Sequence, residues 1–233
     1  MPHNRMRHPP GGVTCLSRHV ELPAACGPVT LARVQVRPLR ISGAFEFTPV
    51  VHGDPRGFFL EWFKADVLEA ATGRPFALRQ ANHSLSARGV LRGIHATAVP
   101  PGQAKYVYCP RGAVLDVMVD IRVGSPTFGE WDAVQLDEVD RRAVYLAEGL
   151  GHAFLSLRDD TTVTYLCTAS YNPSGDFGTH PLDADLDLPW PADIAPTLSH
   201  KDAAAPTLRE AQDQGLLPTY AECQAFYERS RLP

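Results

Sequence analysis

His95 is the residue of this sequence best placed to move a proton. An imidazole changes protonation near neutral pH, which suits it to general-base work. It sits in the strand-like run LRGIHAT, just before a Pro-Pro-Gly turn. A lone histidine on a strand is more often structural than catalytic, and three neighbours shift that balance. Arg92 carries a planar fork of donors suited to gripping a phosphate. Lys105 follows ten residues later, a spacing that two adjacent strands of a hairpin would bring together. Near the C-terminus, SHKDAAAP offers Lys201 and Asp202, and a carboxylate there can orient and polarise the imidazole.

Strand alternation sorts the remaining candidates. In AKYVYC it puts Lys105, Val107 and Cys109 on one face and Tyr106 and Tyr108 on the other. A lysine that shares a face with apolar residues lies at an edge, snorkels, or points into a cavity. In TTVTYLCTA, Val163, Tyr165, Cys167 and Ala169 share a face. Taken alone, Tyr165 reads as core, its hydroxyl satisfied by a backbone group.

The elements that must position these groups are mostly short strands. Residues 76–170 run through FALRQANHS, AKYVYC, AVLDVMVDIR, WDAVQL, RAVYLA, HAFLSL and TVTYLCTA, separated by Gly and Pro turns. This pattern predicts a mainly β fold, an antiparallel sandwich or barrel. Upstream, VTLARVQVRPL and AFEFTPVVHGD read as strands, with a turn at Gly53–Gly57 before FFLEWF. One short helix is predicted at 64–71 (KADVLEAA), closed by Thr72-Gly73. TLREAQDQG and TYAECQAFYERS predict helices in the segment 205–233, packed on the outside of the β domain. Residues 1–27, rich in Pro, Gly, His and Arg, read as a flexible arm ahead of a single domain at 28–233.

Composition narrows the function classes. The chain has 233 residues, a formal charge of −4 and 44% hydrophobic residues, enough for a core. The mild acidity argues against nucleic-acid binding, which draws on clustered Lys and Arg. Six arginines against one acid in residues 1–40 read as a basic tail rather than a binding surface. No run is long enough to span a membrane, and no secretory signal is visible, so a cytoplasmic location is expected. Five scattered cysteines without a CxxC pair read as reduced packing residues. There is no βαβ rhythm, GxGxxG or GxxxxGK[ST], which disfavours nucleotide-cofactor and P-loop enzymes.

Seven segments carry a resemblance: VHGDPRGFFLEWF, RQANHS, GVLRGIHAT, PPGQAKYVYCPRGAVLDVMVDIRVGSPTFGEW, GLGHAFLSL, TYLCTASYNP and KDAAAP. In order and spacing, over residues 38–206, they resemble the dTDP-4-dehydrorhamnose 3,5-epimerase family, the RmlC-like cupins. The PPGxAKYVYC wording and the ending REAQDQGLLPTY are similar to the branch that makes deoxysugars for secondary metabolites. The resemblance implies a jelly roll, no cofactor and no metal. The implied substrate is a dTDP-4-keto-6-deoxyhexose, inverted at C3, C5 or both. A homodimer is expected, with residues such as Arg56 reaching the neighbouring pocket.

Residue by residue, the resemblance makes His95 the base and Asp202 its partner. Tyr165 matches the acid that returns a proton from the opposite face, and Lys105 the cation near the C4 oxygen. Arg56, Phe59, Glu61, Gln80, Asn82 and Arg92 match positions that hold thymidine and diphosphate. His152, Tyr171, Asp176 and Lys201 match further pocket residues. These roles make chemical sense: removing a proton beside a ketone builds charge on its oxygen, and a cation there stabilises it. Ala96 stands where an aromatic residue often follows the base, Ala81 interrupts a QDN pattern, Tyr108 replaces a basic residue and Asp176 a glutamate. These departures are expected to change pocket size and charge.

Two other readings are open to the sequence. A metal-dependent cupin oxygenase or isomerase needs clustered ligands, but GIHAT lacks the usual HxH, so His83 and His152 would have to meet. A non-catalytic sugar-nucleotide binder predicts a missing base or acid, whereas His95, Lys105, Tyr165 and Asp202 are all present.

Overall fold

The computed structural model describes residues 33–231. The arm at 1–27, with Cys15 and Cys26, lies outside the described residues. Thirteen strands and four helices follow in chain order. The first half holds β1 (Gln35–Pro38), β2 (Ala44–Thr48), β3 (Val51–Asp54), β4 (Gly57–Leu60), α1 (Ala65–Thr72), β5 (Gln80–Ser86) and β6 (Leu91–Thr97). Then come β7 (Lys105–Arg111), β8 (Ala113–Val119), β9 (Trp131–Asp137), β10 (Ala143–Leu146), β11 (Gly151–Ser156), β12 (Thr161–Cys167) and β13 (Asp176–Gly178). The chain closes with α2 (His200–Ala203), α3 (Leu208–Asp213) and α4 (Tyr220–Arg229).

Two antiparallel sheets face each other. One has the order β1-β2-β10-β7-β12-β5, the other β13-β6-β11-β8-β9. Their inner faces supply Val107, Leu146 and Val163 from the first, and Val114, Met118 and Phe154 from the second. The strand alternation predicted for AKYVYC holds. Val107 and Cys109 enter this inner core, while Tyr106 and Tyr108 pack on the outside against Trp62 and Phe63. The mainly β sandwich is therefore the fold.

The predicted helices form for local reasons. Lys64 is the N-cap of α1, and Gly73 ends it with φ +67, the left-handed conformation glycine adopts most readily. α3 and α4 each begin with a capping box, Thr207 with Glu210 and Thr219 with Glu222. Leu208 and Ala211 of α3 cover the outer face of the five-stranded sheet, beside Ile94 and Ala153.

α4 is anchored differently, over a buried ion pair. Arg122 and Asp120 are both fully buried, and the guanidinium donates to both carboxylate oxygens, at 2.8 and 2.7 Å. Ser125 and Thr127 hydroxyls donate to the same carboxylate at 2.6 and 2.7 Å. Tyr220 of α4 lies under the guanidinium at 5.1 Å, and the Tyr227 ring lies under that of Arg74, which pairs with Glu148 at 2.8 Å.

One expectation fails. β6 and β7 are not a hairpin: they belong to different sheets. The segment through Pro100-Pro101-Gly102 carries the chain across the end of the sandwich. His95 and Lys105 therefore approach from opposite walls rather than side by side.

Candidate active site

A cavity of about 350 Å³ opens between the sheets. The five-stranded sheet lines it with Arg92 and His95 of β6 and His152 of β11. The six-stranded sheet contributes Lys105 of β7 and Tyr165 of β12. Asp202 and Lys201 of α2 close one side.

A bulge puts both β6 groups in the cavity. His152 faces His95 across the β6–β11 ladder, yet Phe154 faces Arg92, so β6 carries one extra residue. Without it Arg92, three residues from His95, would point to the other face. The bulge is built at Gly93, whose φ is +125. A Cβ there would stand 2.5 Å from the Ala153 Cβ, so the close approach of the strands requires glycine.

His95 Nε2 lies 2.7 Å from Asp202 Oδ1. Burial alone would raise the Asp202 carboxyl. The hydrogen bond and charge of His95, the Ser199 side chain and the Gly93 N–H together hold it below the usual carboxylate range. That leaves an anion to orient the ring and to stabilise it when it takes a proton. Opposite stands Lys105, whose ammonium pKa is pushed down by burial, against the opposing pull of Cys167, Asp176 and Glu148. Burial raises the Tyr165 phenol, keeping it a protonated acid at neutral pH.

The other predicted residues divide. Arg92 spans the mouth, donating to Ser86 Oγ at 3.2 Å and the Leu85 carbonyl at 3.3 Å on β5. Lys201 pairs with Asp176 of β13 at the cavity rim. Gln80 and Asn82 lie just beyond it: Gln80 donates to Asn82 at 2.8 Å, accepts from the Tyr171 N–H at 2.7 Å, and Asn82 reaches Cys167 Sγ at 3.6 Å. Arg56, Phe59 and Glu61 do not line the cavity of their own chain. Arg56 sits at the tip of the β3–β4 hairpin, paired with Asp54, and Phe59 is 66% exposed. Glu61, just past β4, pairs with Lys64 at 3.2 Å.

Two departures prove irrelevant to cavity size. Ala96 points away from the cavity, into the outer cluster with Leu186 and Leu208, and Tyr108 stacks on Trp62 outside. Sequence reasoning also missed Asp116, fully buried on β8, whose Oδ2 lies 2.9 Å from His152 Nε2. The available signal was an aspartate inside the apolar run AVLDVMV, where a buried charge needs a partner. As for the metal reading, His83 is exposed on the outer side of β5. Among the described residues no group of three or more His, Cys, Asp or Glu is arranged to hold a metal ion.

Comparison with known proteins decides the family. The family model described as dTDP-4-dehydrorhamnose 3,5-epimerase matches residues 38–210. The chain belongs to this family. It is 57% identical over 195 residues to a dTDP-4-dehydrorhamnose 3,5-epimerase of Mycolicibacterium smegmatis, covering 84% of this chain and 96% of that one. It is 54% identical to a dTDP-4-dehydrorhamnose 3-epimerase of Streptomyces niveus, over 86% and 96% of the two chains. Among solved structures, the family member ChmJ, a 3'-monoepimerase from Streptomyces bikiniensis in complex with dTDP-quinovose, superposes with a TM-score of 0.82. It shares 52% identity over 84% of this chain and 99% of that one. The family's epimerases thus include enzymes named for one inverted carbon and for two, and the fold is that of the RmlC-like cupins.

Proposed function

We propose that the protein inverts C3, C5 or both of a dTDP-4-keto-6-deoxyhexose without a cofactor, in deoxysugar biosynthesis. The observation that carries this is the opposition of His95, paired with Asp202, and Tyr165, on different sheets across one cavity. A C–H beside the C4 ketone loses its proton to His95, and the electron pair moves into the ketone to form an enolate. Lys105, on the wall opposite His95, stabilises the oxygen charge as it develops. Tyr165 then gives its proton to the carbon from the other face, inverting it. Solvent restores the proton to Tyr165 and removes the one from His95. Arg92 at the mouth holds the diphosphate, and binding of the unreacting nucleotide keeps the sugar in place. His152, Tyr171, Asp176 and Lys201 complete the sugar's surroundings.

Incubation with dTDP-4-keto-6-deoxyglucose in D₂O tests this. Wild type is expected to place deuterium at one or two ring carbons, which also identifies the carbons acted upon. Binding of the sugar nucleotide without any exchange would falsify the epimerase reading. Tyr165→Phe separates the two half-reactions. Exchange is expected to persist, because His95 still removes and returns the proton, while the inverted product falls by at least about 100-fold. Unchanged inversion in Tyr165→Phe would assign the acid to another group.

The assembly we propose is a homodimer in which the β3–β4 hairpin of one protomer brings Arg56, Phe59 and Glu61 to its partner's nucleotide. Three features support it. The hairpin belongs to neither main sheet, β1 is exposed along its whole length, and Val51, Phe58 and Phe59 present apolar surface to solvent. Sedimentation is expected to give twice the 25.5 kDa protomer mass. A monomer at assay concentration would remove the shared-site arrangement. Among the described residues no helix is long and apolar enough to cross a membrane. The described cysteines are free and buried, which fits the reducing cytoplasm we propose as its location.

A further inference from the structure

Asp202, the partner of the base, stands on a helix of only four residues. So short a helix has almost no stability of its own, and α2 makes only a few backbone bonds, among them Ala203 N to the Ser199 carbonyl at 2.9 Å. What fixes its first turn is Ser199. The backbone there is extended, with φ −69 and ψ 159, and the Ser199 Oγ accepts the Asp202 N–H at 3.1 Å. That is the geometry of an N-cap. Ser199 is also part of the cavity wall, beside the carboxylate its backbone bond positions. The same side chain is one of the groups that stabilise the Asp202 anion, together with His95 and the Gly93 N–H.

We propose that Ser199 is a positioning residue of the proton-transfer pair. Its oxygen takes the Asp202 N–H, so that one side chain sets the place of the acid and, through it, its aim at His95. The inference rests on the reading of His95 as the base. Without that cap the first turn of α2 loses the bond that places the Asp202 backbone, and the carboxylate loses its fixed alignment with the ring. The other charged or titratable groups facing the pair are Arg92, Lys105, His152, Tyr165, Lys201 and Asp176. None of them replaces the Ser199 hydroxyl in its bond to the Asp202 N–H.

Two substitutions test this. Glycine is tolerated at an N-cap at little cost but has no hydroxyl, whereas threonine keeps both cap and hydroxyl. In the full-length protein with dTDP-4-keto-6-deoxyglucose, Ser199→Gly is expected to lower kcat and the rate of solvent deuterium exchange about tenfold, the scale of one lost hydrogen bond. KM is expected to stay within about twofold. Ser199→Thr is expected to recover kcat to within about threefold of wild type. Wild-type kcat in Ser199→Gly would overturn the proposal, even with a lowered melting temperature. So would a rise in KM alone, which would make Ser199 a substrate contact, or a threonine variant as impaired as the glycine one. Exchange by wild type with no effect at Ser199 defeats this inference only; absence of exchange in wild type defeats the epimerase reading and this inference with it.

Discussion

His95→Asn is expected to lower epimerisation by about 10³-fold, within the range that positioned general bases contribute. Asparagine is smaller than histidine and uncharged, and it fits the same wall although its amide stops short of the position from which His95 Nε2 contacts Asp202 Oδ1 at 2.7 Å. The cavity wall, α2 and the affinity for dTDP should therefore survive, with binding by calorimetry within about threefold of wild type. What disappears is the basic nitrogen. Solvent deuterium should enter neither C3 nor C5, in contrast to Tyr165→Phe, which keeps exchange and loses inversion. The pair of variants thus assigns removal of the proton to one sheet and its return to the other. Exchange at more than a tenth of the wild-type rate in His95→Asn would mean that another group, with His152 the nearest candidate across the ladder, is the base.

The second large effect is on stability and lies away from the cavity. Asp120→Ala removes the carboxylate that receives both arms of Arg122 and the hydroxyls of Ser125 and Thr127. The arginine is left charged and fully buried. Breaking a buried pair in this way costs about 3–5 kcal/mol. For a domain of this size that corresponds to a fall of roughly 6–20 °C in melting temperature. The loss should appear first at the C-terminus, because Tyr220 of α4 packs on the same guanidinium. Replacing both partners, Asp120→Leu with Arg122→Met, should recover much of the loss, since no uncompensated charge remains. Calorimetry of the single and double variants checks both statements. A single variant within about 3 °C of wild type would show that the pair contributes little.

The parts of the fold written in local sequence were legible. KADVLEAA followed by Gly73 specifies α1, Thr207 and Thr219 each precede a glutamate by three residues, and AKYVYC alternates as a strand must. Sheet membership was not legible. Nine residues with a Pro-Pro-Gly turn between His95 and Lys105 fit a hairpin as well as a crossing between sheets, and only packing of the whole β domain decides. The bulge at Gly93 was hidden for a similar reason: it exists because Ala153 of the next strand lies so close. The central pair of the site joins residues 107 positions apart, on a strand and on a four-residue helix, beyond the reach of any periodicity. Its residues were found by resemblance to a family whose model spans most of the chain. Asp116 was missed because it pairs with another side chain, His152, rather than with a ligand.

His95 and Tyr165 stand on facing sheets, and packed sheets lie about 10 Å apart. The two groups are therefore the tips of a caliper whose opening is set by the side chains filling the interior, Met118, Leu146 and Phe154 among them. On the proposed mechanism a ring must fit between the tips to be stripped of a proton on one side and handed one on the other. Tolerance for bulkier or leaner hexoses is then a property of interior volume as much as of the residues that touch the sugar. Relatives with the same catalytic groups can part ways in the sugars they accept through changes that no inspection of the ligand's neighbours would reveal.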